Sequence, residues 1–360
     1  MTSTRVIRAA LALLLTAAVG GVAAEPGPAY SDHVHLLVYR DAAGAEHPVR
    51  NSADWARRRA HILDAMRQVM GPLPASDAIV PLEPHVDEET ATDRYVRRKL
   101  TIAIGGGDRL PVYLFLPKGG AGKLPAIVCL HPTSRQIGKG TVSGLGGDAN
   151  AAYAVELAER GYVTLAPDYV NMGEYRFDPY AHGFVSATMK GIWNHMRCVD
   201  YLRSLPQVDG ERIGAIGHSL GGHNSMFLGV FDERIKCVVS SCGFCSFPTY
   251  MKGNLAGWSH DGYMPRIRTV YGCDPARMPF DFTEVVAALA PRPFLACAPL
   301  RDTNFDVQGV RDCLAAAEPA YALLGVKDRL RGIFPDAGHE FPPAARQTAY
   351  EWLDRWLKPH

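Results

Sequence analysis

From residue 126 onward, short and largely apolar runs alternate with segments of helical periodicity, and this alternation restricts the fold more than any other feature of the chain. The runs occupy residues 126–130, 162–166, 212–216, 235–240, 293–298 and 330–334. Helical patterns lie at 153–160, 186–204, 220–231 and 308–324, and a last one at 346–357 closes the chain. In the longest, Ile192, Met196, Val199 and Leu202 share one side. A strand covered on both faces is apolar at every position rather than at every second one. The pattern therefore predicts a mostly parallel central sheet with helices on both faces. Ahead of it, Trp55, Ile62, Met66 and Val69 fall near helical spacing in 54–70, and Gly71-Pro72 stops the helix. Residues 94–104 and 110–116 then read as an antiparallel pair turned at Gly105-Gly106-Gly107-Asp108. No Ser/Gly- or Pro-rich linker divides the chain, so residues 25–360 read as a single α/β domain.

The N-terminus has a separate meaning. Arg5 and Arg8 precede the apolar run 9–15, and small residues follow to Ala24. A basic start, a short apolar centre and a small-residue end make a secretory signal peptide over 1–24, and hence a secreted or periplasmic protein. The run is short of the ~20 residues that a membrane span needs. With 38 basic and 37 acidic residues the formal charge is +1, which offers no footprint for nucleic acid or an anionic membrane. Export makes disulfides possible for the eight Cys. Cys129, Cys237 and Cys297, however, lie in buried-strand runs where Cys acts as a small hydrophobe. The reading is mostly buried thiols with one disulfide whose pairing the sequence does not specify. Cys242 and Cys245 form a lone C-x-x-C, a weak metal or redox signal.

The chemistry centres on Gly217-His218-Ser219-Leu220-Gly221-Gly222. This is G-x-S-x-G with a strand before it and a helix after it, the setting in which glycines permit a sharp turn that exposes the Ser hydroxyl. A Ser hydroxyl needs a base, and the base needs an orienting carboxylate; with this elbow they follow in the order Ser, Asp or Glu, His. His339 lies between the last strand and the last helix and is the candidate base. His223 and His260 also follow Ser219, but one lies in the next helix and the other precedes the acid strand. Asp302 just beyond strand 293–298 is favoured as the acid over Asp306. An oxyanion needs two backbone N–H donors. Leu220 should give one and Thr133 the other, because Pro132 has no N–H. His131 reads as structural, Asp168 equally as a pocket residue or a turn cap, and Trp193 and His195 as packing residues.

GHSLGG, His131-Pro132-Thr133, the Arg-Pro-Phe-Leu before Asp302 and the Gly338-His339 pair together resemble the α/β-hydrolase superfamily. Within it the chain is similar to the dienelactone hydrolase and acetyl xylan esterase-like branch over residues 50–357. Dienelactone hydrolases use Cys where this chain has Ser219. The resemblance implies an α/β-hydrolase fold, hydrolysis of carboxylic esters through an acyl-enzyme with Ser219, His339 and Asp302, and neither metal nor organic cofactor. By analogy it points to acetyl or other esters on plant polysaccharides as substrate. A peptidase, a thioesterase or polyester hydrolase of the same fold, and a non-catalytic binding protein on a hydrolase scaffold are the rival readings. An insertion over 246–281, after the sixth strand read, carries Trp258, His260, Tyr263 and Tyr271. It reads either as a lid or binding loop, or as a packed excursion.

Overall fold

A computed structural model describes residues 27–119, 122–147 and 151–358; residues 1–24, read from the sequence as a signal peptide, lie outside them. Before the main sheet come β1 (Val38–Arg40) and β2 (Glu46–Pro48), a small antiparallel pair, and helix α1 (Ser52–Met70). Asn51 caps α1 by accepting from Asp54 N, and Gly71, at φ 92°, ends it. The antiparallel strands β3 (His85–Ala91), β4 (Tyr95–Gly105) and β5 (Asp108–Pro117) follow. The strand and helix series is then β6 (Leu124–Leu130), α2 (Tyr153–Glu159), β7 (Val163–Pro167), α3 (Ala187–Ser204), β8 (Val208–His218) and α4 (Leu220–Phe231). It ends with β9 (Ile235–Ser241), α5 (Arg266–Thr269), α6 (Phe282–Ala288), β10 (Phe294–Cys297), α7 (Val307–Leu323), β11 (Leu330–Ile333) and α8 (Pro343–Leu357).

Nine strands form one sheet in the order β11-β10-β9-β8-β6-β7-β5-β4-β3. β6 to β11 run parallel, and β5, β4 and β3 continue the sheet antiparallel. The continuous apolar runs follow from two-sided burial. Along β6, Ala126, Val128 and Leu130 join the core shared with α1, α3 and α4, while Ile127 and Cys129 join the core under α2 and α8. This is the α/β-hydrolase fold.

Two expectations are corrected. The 246–281 insertion follows the ninth strand in chain order, because β1, β2 and β3 had not been read as strands. All seven residues of β3 are exposed, so nothing in their apolar pattern marks the strand. No disulfide forms: all eight Cys are free thiols, seven of them buried and Cys273 half-buried. The insertion itself is packed. Phe247, Leu255, Trp258, Met264, Ile267 and Phe280 are buried, and Trp258 meets Phe282 and Phe305 with ring centroids 5.2 and 6.0 Å away. Thr188 N donates to Tyr263 O at 3.2 Å, and Tyr180 Oη donates to Asp261 O at 2.5 Å. The residues before α1 are also tied down: Glu284 in α6 pairs with buried Arg58 and, at 2.8 Å, with His33.

Candidate active site

Ser219 stands where β8 turns into α4, with φ 55° and ψ −118°. A non-glycine residue at positive φ is strained, and it persists here because its surroundings fix it. Ser219 N donates to Ser241 O at 2.8 Å. A Cβ on Gly217 would lie 2.1 Å from Gly221 O, and one on Gly221 would lie 1.9 Å from Leu130 O. The turn is thus so tight that only glycine fits on either side of the Ser. The same closeness presses the start of α4 against the end of β6, where that added Cβ on Gly221 would also lie 3.0 Å from His131 O.

The other two groups arrive from neighbouring strand ends. After β10 the chain turns through Asp302, and after β11 it turns through His339. The two turns are zipped together: Leu300 N donates to Pro335 O at 2.9 Å, and Arg301 N donates to Ala337 O at 3.0 Å. His339 Nδ1 lies 3.0 Å from both Asp302 carboxylate oxygens, and His339 Nε2 lies 2.9 Å from Ser219 Oγ. Asp302 Oδ1 also accepts from Asn304 N and Phe305 N at 2.8 and 3.2 Å. Burial pushes the Asp302 carboxyl upward, but the His339 hydrogen bond and charge and those two N–H groups outweigh it and hold the group below the ordinary Asp range. Asp302 is therefore the ionised orienter of the imidazole. Its side chain is 1% exposed, against 29% for His339, so the acid is sealed while the base faces the solvent side.

The prolyl oligopeptidase family matches residues 150–360, more than half of the chain. The chain belongs to that family. This family member is 26% identical to the YtaP protein of Bacillus subtilis over 269 residues, covering 72% of this chain and 87% of that one. It is 25% identical to the 4-O-methyl-glucuronoyl methylesterase of Hypocrea jecorina over 265 residues, covering 67% of this chain and 54% of the other. Among solved structures, a glucuronoyl esterase from Solibacter usitatus superposes with a TM-score of 0.68 at 18% identity, covering 91% of this chain and 98% of that one. That last likeness is one of fold.

The structure places the remaining sequence candidates of this family member as follows. Asp306 is away from the imidazole; it caps α7, accepting from Gly309 N at 2.9 Å. Asp168 is fully buried and binds Lys139 Nζ at 2.7 Å and Glu174 N at 3.1 Å, so it fixes a turn. His131 packs edge-on to Tyr169, and burial lowers its pKa to about 4. His223 is also sealed in, beside Trp258, and burial lowers its pKa to about 3. Trp193 and His195 are buried in α3. Among the described residues, no backbone carbonyl accepts from the N–H of Leu220 or Thr133, the two proposed oxyanion donors. Thr133 Oγ1 instead meets Tyr263 Oη at 3.5 Å.

Sequence reasoning did not place three further residues, two of them already named, at this centre. Tyr263 sits in the insertion, where aromatic residues are too numerous to single one out. Phe305 places its ring 5.9 Å from that of His339. Cys242, at φ 47°, ends the strand β9 that runs between the nucleophile strand and the acid strand; its Sγ donates to Glu340 O at 3.4 Å. Among the described residues, Cys242, Asp302 and His339 are the one group whose ligand atoms lie close enough, within 4.8 Å, to gather round a cation. A cation there would take the carboxylate away from His339.

Proposed function

We propose that the protein is a serine-dependent carboxylic ester hydrolase in which Ser219 is the nucleophile, His339 the general base and acid, and Asp302 the orienting carboxylate. The observation that carries this is the unbroken path from Asp302 through His339 to Ser219 Oγ at 3.0 and 2.9 Å, with the Ser held on a strained elbow. Ser219 Oγ attacks the ester carbonyl carbon as its proton passes to His339 Nε2. The oxyanion that forms is met by the N–H groups of Leu220 and Thr133, with the positive end of α4 beneath it. When the ester C–O bond breaks, His339 returns the proton to the leaving oxygen and an alcohol departs. Water then gives a proton to His339 and attacks the acyl carbon; as the bond to Ser219 Oγ breaks, His339 returns that proton to Oγ and the acid departs.

Esters carried on carbohydrate are the substrate class we favour, because curated and structural relatives are named for glucuronoyl ester cleavage. Export to the periplasm or the medium is supported by the basic, apolar and small-residue order of residues 1–24, and such a location would give access to polymeric substrates. The test is labelling by a serine-reactive phosphonate together with aryl-ester turnover. Ser219→Ala should abolish labelling and lower turnover by about four orders of magnitude or more. Unchanged turnover in the folded variant would overturn the assignment. Peptide substrates run in parallel separate the esterase from a peptidase.

A further inference from the structure

The peptide that joins Pro132 to Thr133 is held at one end and left open at the other. Its carbonyl oxygen accepts from His131 Nδ1 at 2.6 Å. Its N–H, the second of the two oxyanion donors, meets no backbone carbonyl among the described residues. The peptide is trans, and in a trans peptide C=O and N–H point in opposite directions within one rigid plane. Whatever holds the carbonyl therefore sets the direction of the N–H. His131 is fully buried while Thr133 is exposed, so the carbonyl is drawn inward and the N–H is turned outward. Pro132 sharpens the effect: its ring fixes φ, which leaves ψ to turn the peptide, and the His131 hydrogen bond fixes ψ. The loop lies against the nucleophile turn, since an added Cβ on Gly221 would stand 3.0 Å from His131 O.

The imidazole is set up for this one contact. A carbonyl oxygen can only accept, so Nδ1 carries the proton. Burial lowers the His131 pKa to about 4, which leaves the ring neutral with Nε2 as an acceptor. That Nε2 is buried with no partner among the described residues, so a histidine is a costly way to fill this space. An apolar side chain of similar size would fill it without that cost; what the imidazole adds is the Nδ1–H donor. Packing keeps the donor in place. Tyr169 lies edge-on to the ring at 4.5 Å between centroids, and His195 backs Tyr169 edge-on at 5.3 Å. A carbonyl that accepts a hydrogen bond also polarises its peptide, which strengthens the N–H at the opposite end.

We propose that His131 is a positioning residue of the oxyanion site: by holding the Pro132 carbonyl, it aims the Thr133 N–H at the oxygen that turns negative when Ser219 attacks. The proposal rests on the serine-esterase reading and deepens it, because it assigns the reaction a residue that acts through a peptide.

The experiment compares His131→Asn, His131→Leu and His131→Gln. The readouts are steady-state hydrolysis of an aryl acetate and inhibition by an aryl trifluoromethyl ketone, whose adduct with Ser219 carries an oxyanion at the same place; thermal melting checks the fold. Asn sets an amide N–H where Nδ1 stands and should keep kcat within about threefold of the wild type. Leu has the shape of Asn without a donor, and Gln sets its donor where Nε2 stands. Both should lower kcat and kcat/KM together by about tenfold to a hundredfold, at most the low end of what outright loss of an oxyanion donor costs. The ketone should weaken by the same factor, with KM moved less than about twofold. A packing role alone would rank the three variants by melting temperature and not by where the donor sits. Wild-type kcat in folded Leu or Gln variants, a loss in Asn equal to theirs, or a loss confined to KM would overturn the proposal. Should the Leu variant not fold, the contrast between Asn and Gln, both amides, decides in its place. In each of those outcomes a phosphonate still labels Ser219 of the wild type, whereas no labelling of the wild type would overturn the esterase reading itself.

Discussion

Replacing Asp302 by Asn tests the centre with the least change of shape. The carboxylate is almost wholly sealed from solvent, and both of its oxygens stand 3.0 Å from His339 Nδ1. Oδ1 is also fixed by the N–H groups of Asn304 and Phe305, so the amide oxygen must remain there and the amide NH2 takes the place of Oδ2. Two donors then face each other at Nδ1. The imidazole escapes by moving its proton to Nε2, the nitrogen that must accept from Ser219. The wrong tautomer at an equivalent triad costs about 10⁴ in kcat, or about 5 kcal/mol of barrier. The assay is steady-state hydrolysis of an aryl acetate with the rate of phosphonate labelling as a second readout, and thermal melting controls for fold. Asp306→Asn is the matched control, because Asn caps a helix as well as Asp and should change turnover less than about twofold. A loss of less than about tenfold in Asp302→Asn, or an equal loss in Asp306→Asn, would refute this geometry as the working one.

Four further outcomes follow from the packing. Burial lowers His131, His195 and His223 to about 4, 3 and 3, so the unfolded chain binds more protons below its ordinary His pKa of about 6.5. Stability should fall as pH drops from there toward 4, by about 1.4 kcal/mol per unit for each of the three. Asp281, raised by burial to about 6, works in the opposite sense as pH falls from 6 toward 4; denaturant melts at pH 7, 6 and 5 would read the net slope, which His195→Gln should flatten. Glu284→Gln leaves Arg58 buried with an uncompensated charge and should destabilise the fold by about 3–5 kcal/mol in the same melts. Gly217→Ala drives a Cβ into Gly221 O and should yield little soluble active protein, as activity in the soluble fraction would show. Reductant should leave the melting temperature unchanged, and a thiol reagent should modify Cys273 in the native protein but all eight Cys in denaturant.

The sequence made the chemistry legible wherever a residue was tied to a strand end. Ser219 and His339 sit at positions set by apolar runs that could be counted, and the strand-to-helix turn at 217–222 announced itself through its glycines. The choice between Asp302 and Asp306 was harder, because both follow the same strand. What separates them is the zipping of Leu300 and Arg301 onto the turn before His339, a pairing between segments that are remote in sequence. β3 stayed hidden for a different reason. At the sheet edge with every residue exposed, it owes its form to backbone pairing with β4 and to no apolar pattern. The 246–281 stretch looked equally like a lid or a core. Its aromatic residues decide only once Phe282 and Phe305, lying outside it in sequence, are seen to complete their packing.

The route taken by that stretch has an evolutionary consequence. It leaves the end of β9 and returns to β10, its immediate partner, and the two strands stay in register up to Ser241 opposite Cys297. Whatever is threaded between them is handed back at the same place. Doubling the length of such a connection raises its closure entropy by only about 0.6 kcal/mol. The excursion that supplies Tyr263 to the mouth of the site can therefore be lengthened, shortened or exchanged while the strand ends carrying Ser219, Asp302 and His339 stay put. New substrates can be met by rewriting one loop, with the reacting groups inherited unchanged.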